Sequence, residues 1–444
     1  MPNVQELYQQ KRKDIPQALA LIESGDLIIT SLGASEPIEL IKQVHTVAAN
    51  GVKGADVTSC LPVGMYDYIL NPEYADSVFA NSWFYGAANR KAGSQINTSH
   101  VPQRLHLAFK KRNFARLEDG RRLVLLASCS PMDKHGYLSL SLSCTYEREA
   151  IDAGAVVIVE VNPNMPRTFG DTAVHISEID ALTEVDYPVF ALPEGEFSDK
   201  DKVIAELIAE RIVDGSTIQL GIGGIPNALA AGLKAKKHLG IHTEMITDGM
   251  VDLVECGAVD NSCKTLEPHK IVGTFAMGSK KLYDFLDDNP SVIMRNGIWT
   301  NDPAVVGLNY KMTSINTAME VDLFGQCASE AIGPVQFSGT GGQADTAIGA
   351  QRSEGGHSYI ALYSTANVKN EAGERIPVSK IVPLLKPGSI VSLSRNDVDY
   401  VVTEYGVASL QGRSIQERAE RLIAIAHPDF REELIFEVKK QNYY

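Results

Sequence analysis

Short runs of Val, Ile and Leu alternate along this chain with segments whose apolar residues recur at helical spacing. The runs are DLIITSLG (26–33), RLVLLASCS (122–130), AVVIVEVN (155–162), VFALPE (189–194) and STIQLGIGG (216–224). EPIELIKQVHTVAAN (36–50) follows the first of them, KDKVIAELIAERIV (200–213) the fourth and PNALAAGLKAK (226–236) the fifth. Continuous apolar runs of this length read as strands buried on both faces, as helices covering a mostly parallel sheet require. The fold class read from this pattern is α/β.

Two stretches share a register. Ile22, Gly25, Ile28 and Gly33 recur as Ile212, Gly215, Ile218 and Gly223, 190 positions further on. A helix, a glycine turn, an apolar strand and a glycine loop repeated at that distance imply two related α/β halves, against the plainer view that any two βα units look alike. The polar stretch after VFALPE places a boundary near residue 195, giving domains 1–194 and 195–444. KNEAGERIPVSK (369–380) reads as a charged surface loop. QERAERLIAIAHPDFREELIFEVKKQ (416–441) reads as helix broken at Pro428.

The length, 444 residues, exceeds what one core usually supports, in line with that division. Lys and Arg total 41 against 55 Asp and Glu, a net charge of −14, which opposes nucleic acid phosphate. No window carries the roughly 20 apolar residues of a membrane span. Six cysteines without CxxC spacing and an N-terminus without a signal peptide fit a reducing cytoplasm.

The chemistry concentrates in glycine loops. Gly221, Ile222, Gly223, Gly224 and Ile225 follow an apolar strand and open a helix with Pro226 in its first turn. Backbone N–H groups of loop and helix start therefore converge, and glycines let a ligand come close. A tight structural turn is the alternative. A second loop, SGTGGQAD (338–345), carries Gly339, Gly341 and Gly342, and two such loops suit a long ligand. Glu244 lies about twenty residues after the first loop, where a dinucleotide-binding unit would hold a ribose. It is ionisable within the apolar-alternating segment GIHTEMITDGMVDL, which calls for a partner or a task; a surface Glu on an edge strand is the plain alternative. GxSxG, HExxH and Walker motifs are absent, and Ser128, Cys129 and Ser130 read as a packed strand end.

GIGGIPNAL, followed by IHTEMITDGMVDL and FSGTGGQAD, resembles the acetyl-CoA hydrolase/transferase family within the family I CoA-transferases. So do ASCSPMDKHGYLSLS (127–141), NPNMPRTFGD (162–171) and RNDVDYVVTEYGVASLQGRS (395–414). The subgroup most similar is the 4-hydroxybutyrate or butyryl-CoA:acetate type. The resemblance implies that Glu244 is a nucleophile forming a glutamyl-CoA thioester. It also implies that Gly221–Ile225 and Gly339–Gly342 hold CoA, that the site lies between two domains of CoA-transferase fold, and that the protein is a homodimer or larger oligomer. Acyl-CoA and a small carboxylic acid are then the substrates, with no tightly bound cofactor. Acyl-CoA hydrolysis, a dicarboxylate acceptor such as succinate or itaconate, a dinucleotide-dependent oxidoreductase and a noncatalytic acyl-CoA sensor remain as alternatives. Lys280, Lys281 and Lys369 are candidates for the CoA tail, and Arg90 and Arg167 for a distal carboxylate.

Overall fold

The computed structural model describes residues 3–93, 98–193, 195–370 and 372–440. Two compact units divide the chain. One is Met1–Glu194 with Thr243–Asp248 and Ile271–Asn301; the other is Gly195–His242, Gly249–Lys270 and Asp302–Tyr444. The segment bearing Glu244 groups with residues 1–194 by way of residues 271–301: its backbone bonds to Val272, Thr274, Phe275 and Met277, and that stretch in turn bonds to Leu142, Cys144 and Thr145.

In the first unit seven strands form one parallel sheet: β1 (Leu27–Thr30), β2 (Ala55–Cys60), β3 (Val78–Phe84), β4 (Thr98–His100), β5 (Leu123–Cys129), β6 (Val156–Val161) and β7 (Ala181–Glu184). Their order is β4-β3-β2-β1-β5-β6-β7, so the chain starts in the middle and winds outward in both directions. All residues of β1, β2 and β5 are buried, as the unbroken apolar runs of β1 and β5 require. Residues 189–193 of VFALPE form no strand, Glu194 lies outside the described residues, and β7 lies just upstream. It satisfies its backbone elsewhere: the Leu192 N–H donates to the Gly278 carbonyl at 2.9 Å and the Phe190 carbonyl accepts the Tyr283 hydroxyl at 2.6 Å.

The second unit carries a six-stranded sheet of β8 (Thr217–Leu220), β9 (Gly240–Ile241), β10 (Met312–Thr317), β11 (His357–Ala361), β12 (Tyr400–Thr403) and β13 (Gly406–Ser409), in the order β9-β8-β10-β11-β12-β13. Only the β12–β13 pair is antiparallel. Here too the first strand lies inside the sheet, with the second on one side and a later strand, β10, on the other. The shared register has a shared local structure: Gly25 and Gly215 turn the chain into β1 and β8 with φ of +80° and +78°, values that glycine adopts readily.

Three helices of this unit matter for the site, α1 (Asp199–Ala209), α2 (Gly224–Gly232) and α3 (Gln343–Arg352). Residues 369–380 fall largely in a two-stranded hairpin, Thr365–Lys369 with Arg375–Ser379, rather than a loop, because Val368 and Ile376 pair across it. The C-terminal helical stretch breaks at Pro428, where its last helix begins. Among the described residues no helix is long and apolar enough to cross a membrane.

Candidate active site

In the first unit, Glu244 sits in a bend before the two-residue strand Met245–Ile246, which pairs in parallel with Phe275–Ala276. Its backbone is held firmly. The Thr243 N–H donates to the Val272 carbonyl at 3.0 Å, and the Glu244 carbonyl accepts the N–H groups of Thr274 and Phe275 at 3.0 and 3.1 Å. Thr243 and Met245 on either side are buried, whereas Glu244 is half-buried.

A buried amide faces its carboxylate. Asn301, fully buried after the short helix Gly297–Thr300, donates from Nδ2 to Glu244 Oε2 at 2.8 Å. The Oδ1 of Asn301 finds no hydrogen-bond partner among the described residues. A charge-assisted bond of this kind fixes the carboxylate's direction.

Segments far apart in the chain build the bed beneath this pair. The Cys144 N–H donates to Thr274, the Ala276 N–H to Leu142, and the Gly297 N–H to Thr145. The Asp171 carboxylate accepts the Asn296 N–H at 2.9 Å and pairs with Arg295 at 3.3 Å. The residues from 127 to 145 and from 162 to 171 thereby shape the ground on which Glu244 and Asn301 meet.

A thiol stands within electrostatic reach. Burial, reinforced by the carboxylates of Glu244 and Glu147, pushes the Cys60 thiol well up from its ordinary value. It stays protonated at neutral pH and is a poor nucleophile. Cys129 is buried and burial pushes its thiol up to about 12, as a packed strand end predicts.

Both glycine loops lie in the second unit, at the C-terminal edge of its parallel strands. The first joins β8 to α2. Gln343, in the first turn of α3 just after Gly342, donates from Nε2 to the carbonyl of Thr317, the last residue of β10, at 2.9 Å. Gln219 of β8, Ser314 and Asn316 of β10 and Thr346 of α3 interlock by hydrogen bonds of 2.9 to 3.4 Å. Two helix N-termini are thus brought to one sheet edge, where crossover folds place their ligands.

The glycines of the first loop have three different reasons. Gly221 has nothing among the described residues within 4 Å of where a side chain would start, so it faces open space. Gly223 also faces open space, and its φ of +115° with ψ near 180° is a conformation that only glycine holds comfortably. Gly224 has an ordinary φ, and the carboxylate of Asp201 occupies the place of its missing Cβ. In the second loop Gly341 has φ of +54° and Gly342 caps α3. Gly339 precedes Thr340, whose hydroxyl donates to Glu330 at 2.6 Å. Ile222 is exposed and Ile225 buried in the first turn of α2.

The chain matches the acetyl-CoA hydrolase/transferase N-terminal domain over residues 2–193 and the C-terminal domain of that family over residues 278–438. It belongs to the acetyl-CoA hydrolase/transferase family. Over 441 residues it is 41% identical to the 4-hydroxybutyrate coenzyme A transferase of Clostridium kluyveri, covering 98% of this chain and 99% of that one. It is 37% identical over 450 residues to the butyryl-CoA:acetate CoA-transferase of Anaerostipes caccae, covering 99% and 98%. Among solved structures, RipA from Yersinia pestis matches with a TM-score of 0.90 at 35% identity over 100% of both chains.

In this family member the cations proposed from sequence are mostly engaged. Lys280 pairs with Asp284 on its own helix, the backbone carbonyl of Tyr85 accepts Arg90, and Arg167 reaches Asp133 at 3.2 Å. Lys369 stands on the exposed hairpin. No group of three or more His, Cys, Asp or Glu among the described residues could hold a metal ion. Sequence reasoning missed Asn301 and Cys60. Neither lies in a motif, and only the return of 271–301 to the first unit reveals Asn301.

Proposed function

We propose that this protein is a CoA-transferase that moves CoA from a short-chain acyl-CoA of the acetyl, butyryl or 4-hydroxybutyryl type to an acceptor carboxylate, with Glu244 as nucleophile. The observation that carries the reading is the half-buried Glu244 carboxylate, aimed by the fully buried Asn301 amide at 2.8 Å and set on a backbone held by Thr274 and Phe275.

A Glu244 carboxylate oxygen attacks the thioester carbonyl carbon, and the C–S bond breaks. An acyl-glutamyl anhydride and CoA thiolate result. The thiolate attacks the Glu244 carbonyl, the anhydride C–O bond breaks, and the first carboxylate leaves a glutamyl-CoA thioester. An acceptor carboxylate then runs these steps in reverse. Each attack passes through an oxyanion, for which N–H donors at glycine loops supply stabilisation; removing one such donor typically costs about 10² to 10³ in rate.

Gly221–Ile225 and Gly339–Gly342 receive CoA in this reading. The net charge of −14 makes local backbone amides, rather than the overall field, the attraction for an anionic ligand. Acyl-CoA hydrolysis differs only in water taking the acceptor's place, a reading that the family's name keeps open.

Mass spectrometry after incubation with acetyl-CoA or butyryl-CoA tests the proposal. A CoA-sized adduct on the peptide containing Glu244, absent from Glu244→Ala, is expected. Undiminished turnover by Glu244→Ala would remove the assignment. Omitting the acceptor carboxylate separates transfer from hydrolysis.

A further inference from the structure

The second unit buries a carboxylate that the proposed chemistry does not use. Asp201 is 2% exposed in the first turn of α1. Its Oδ2 accepts both the Ser198 N–H and the Ser198 hydroxyl at 2.7 Å, and its Oδ1 accepts the Tyr363 hydroxyl at 2.7 Å. A Cβ on Gly224 would stand 2.5 Å from Oδ2, 2.7 Å from Cγ and 2.8 Å from Oδ1.

A capping box explains only the Ser198 half of this arrangement. Tyr363 comes from the segment after β11, and burial with the Asp201 bond pushes its phenol up to about 12, so it remains a donor. Ser364 beside it donates from N–H and hydroxyl to Glu404 at 2.8 Å each, and Glu404 pairs with Lys200 at 2.9 Å. The start of α1, the end of β11 and the turn between β12 and β13 are thereby tied together under the first residue of α2. Gly224 has an ordinary φ, so alanine would suit the helix there but for the carboxylate.

We propose that Asp201 is a positioning residue for the Gly221–Ile225 loop, its carboxylate filling the volume left open at Gly224 and seating the N-terminus of α2. The role in catalysis rests on the assignment of that loop to CoA. Gly224 is then a glycine for the sake of a protein carboxylate, and the ligand's approach lies at Gly221 and Gly223, which face open space.

The test compares Gly224→Ala, Asp201→Ala, Asp201→Asn and the double variant Asp201→Ala/Gly224→Ala in the full chain. The readouts are the unfolding midpoint and the single-turnover rate and amplitude of adduct formation from acetyl-CoA. Gly224→Ala is expected to lower the midpoint, and the double variant to regain most of that loss because the clash is gone. Asp201→Ala and the double variant should form the adduct at full amplitude but about 10-fold or more slower, as a displaced binding element would. Asp201→Asn, which keeps the shape, should stay close to wild type. A strictly additive stability cycle, or a wild-type adduct rate in Asp201→Ala, would overturn the proposal. Absence of any adduct in the wild type would instead overturn the CoA assignment on which the role rests. A cooperative stability cycle alongside that result would trace the failure to the assignment and not to the Asp201–Gly224 pair.

Discussion

Asn301 gives a side-chain hydrogen bond to Glu244, the amide Nδ2 lying 2.8 Å from the carboxylate Oε2 while Asn301 itself is fully buried. A donor so placed cannot swing away to solvent. The direction of the carboxylate is therefore set by the fold.

Replacing Asn301 by Ala should slow formation of the Glu244 adduct by about 10- to 100-fold, the range for a lost hydrogen bond to a charged group. Asn301→Asp should be slower still at neutral pH and partly recover in acid, because two adjacent carboxylates share a proton. Stopped-flow single turnovers with acetyl-CoA decide it. An unchanged rate in Asn301→Ala would show that the bond has no part in the chemistry.

The first loop separates binding from folding. Gly223→Ala must hold alanine at φ near +115°, with an expected stability loss of about 1 to 3 kcal/mol. Gly221→Ala meets nothing within 4 Å and should unfold like wild type while binding CoA more weakly. Urea unfolding and calorimetric titration with CoA read the two effects. Equal losses of stability in both variants would contradict this division.

Stability should fall as pH rises from about 4.5 to about 7. Burial lifts the Glu36 carboxyl to about 7 despite the Tyr66 hydroxyl and Val63 N–H that it accepts, and burial lifts Glu160 to about 7 despite Tyr187 and Leu40. In that window the folded chain keeps protons that the unfolded chain releases, so raising the pH favours unfolding. Glu36→Gln should flatten the slope of unfolding free energy against pH. A slope that survives in Glu36→Gln and Glu160→Gln together would place its origin elsewhere.

Lys264 should give the opposite sign at higher pH. Its ammonium is buried, its Nζ donates to the carbonyls of Ile241 at 2.8 Å and Lys270 at 2.6 Å, and burial brings its pKa down to about 7. Between about 7 and 10.5 the unfolded chain binds a proton that the folded one lacks, so this group's contribution rises with pH. Lys264→Met should cost about 2 to 4 kcal/mol, since two buried carbonyls lose their donor. Denaturant titrations at pH 7 and 9 on both proteins show whether the pH-dependent difference disappears.

Much of the fold was legible in residue order because it depends on local pattern. The apolar runs of β1, β5, β6 and β8 are buried on both faces, and Gly25 and Gly215 turn the chain into matching strands. VFALPE shows the limit: an apolar run becomes a strand only where a neighbour offers a ladder, and here Gly278 and Tyr283 take its backbone groups instead. The hairpin at 365–379 shows the converse, since a charged segment formed strands once Val368 met Ile376.

The site divides in the same way. Glu244 and the two glycine loops stood out in sequence because an ionisable residue among apolar ones, and glycines between a strand and a helix, are contrasts between near neighbours. Asn301, 57 positions beyond Glu244, and Asp201, 23 before Gly224, carry no such contrast. Their roles come from side chains that meet only after distant segments pack. The order of residues determined where strands, turns and reactive groups could lie; tertiary structure alone decided which buried amide aims the carboxylate and which buried carboxylate takes the place of a glycine's side chain.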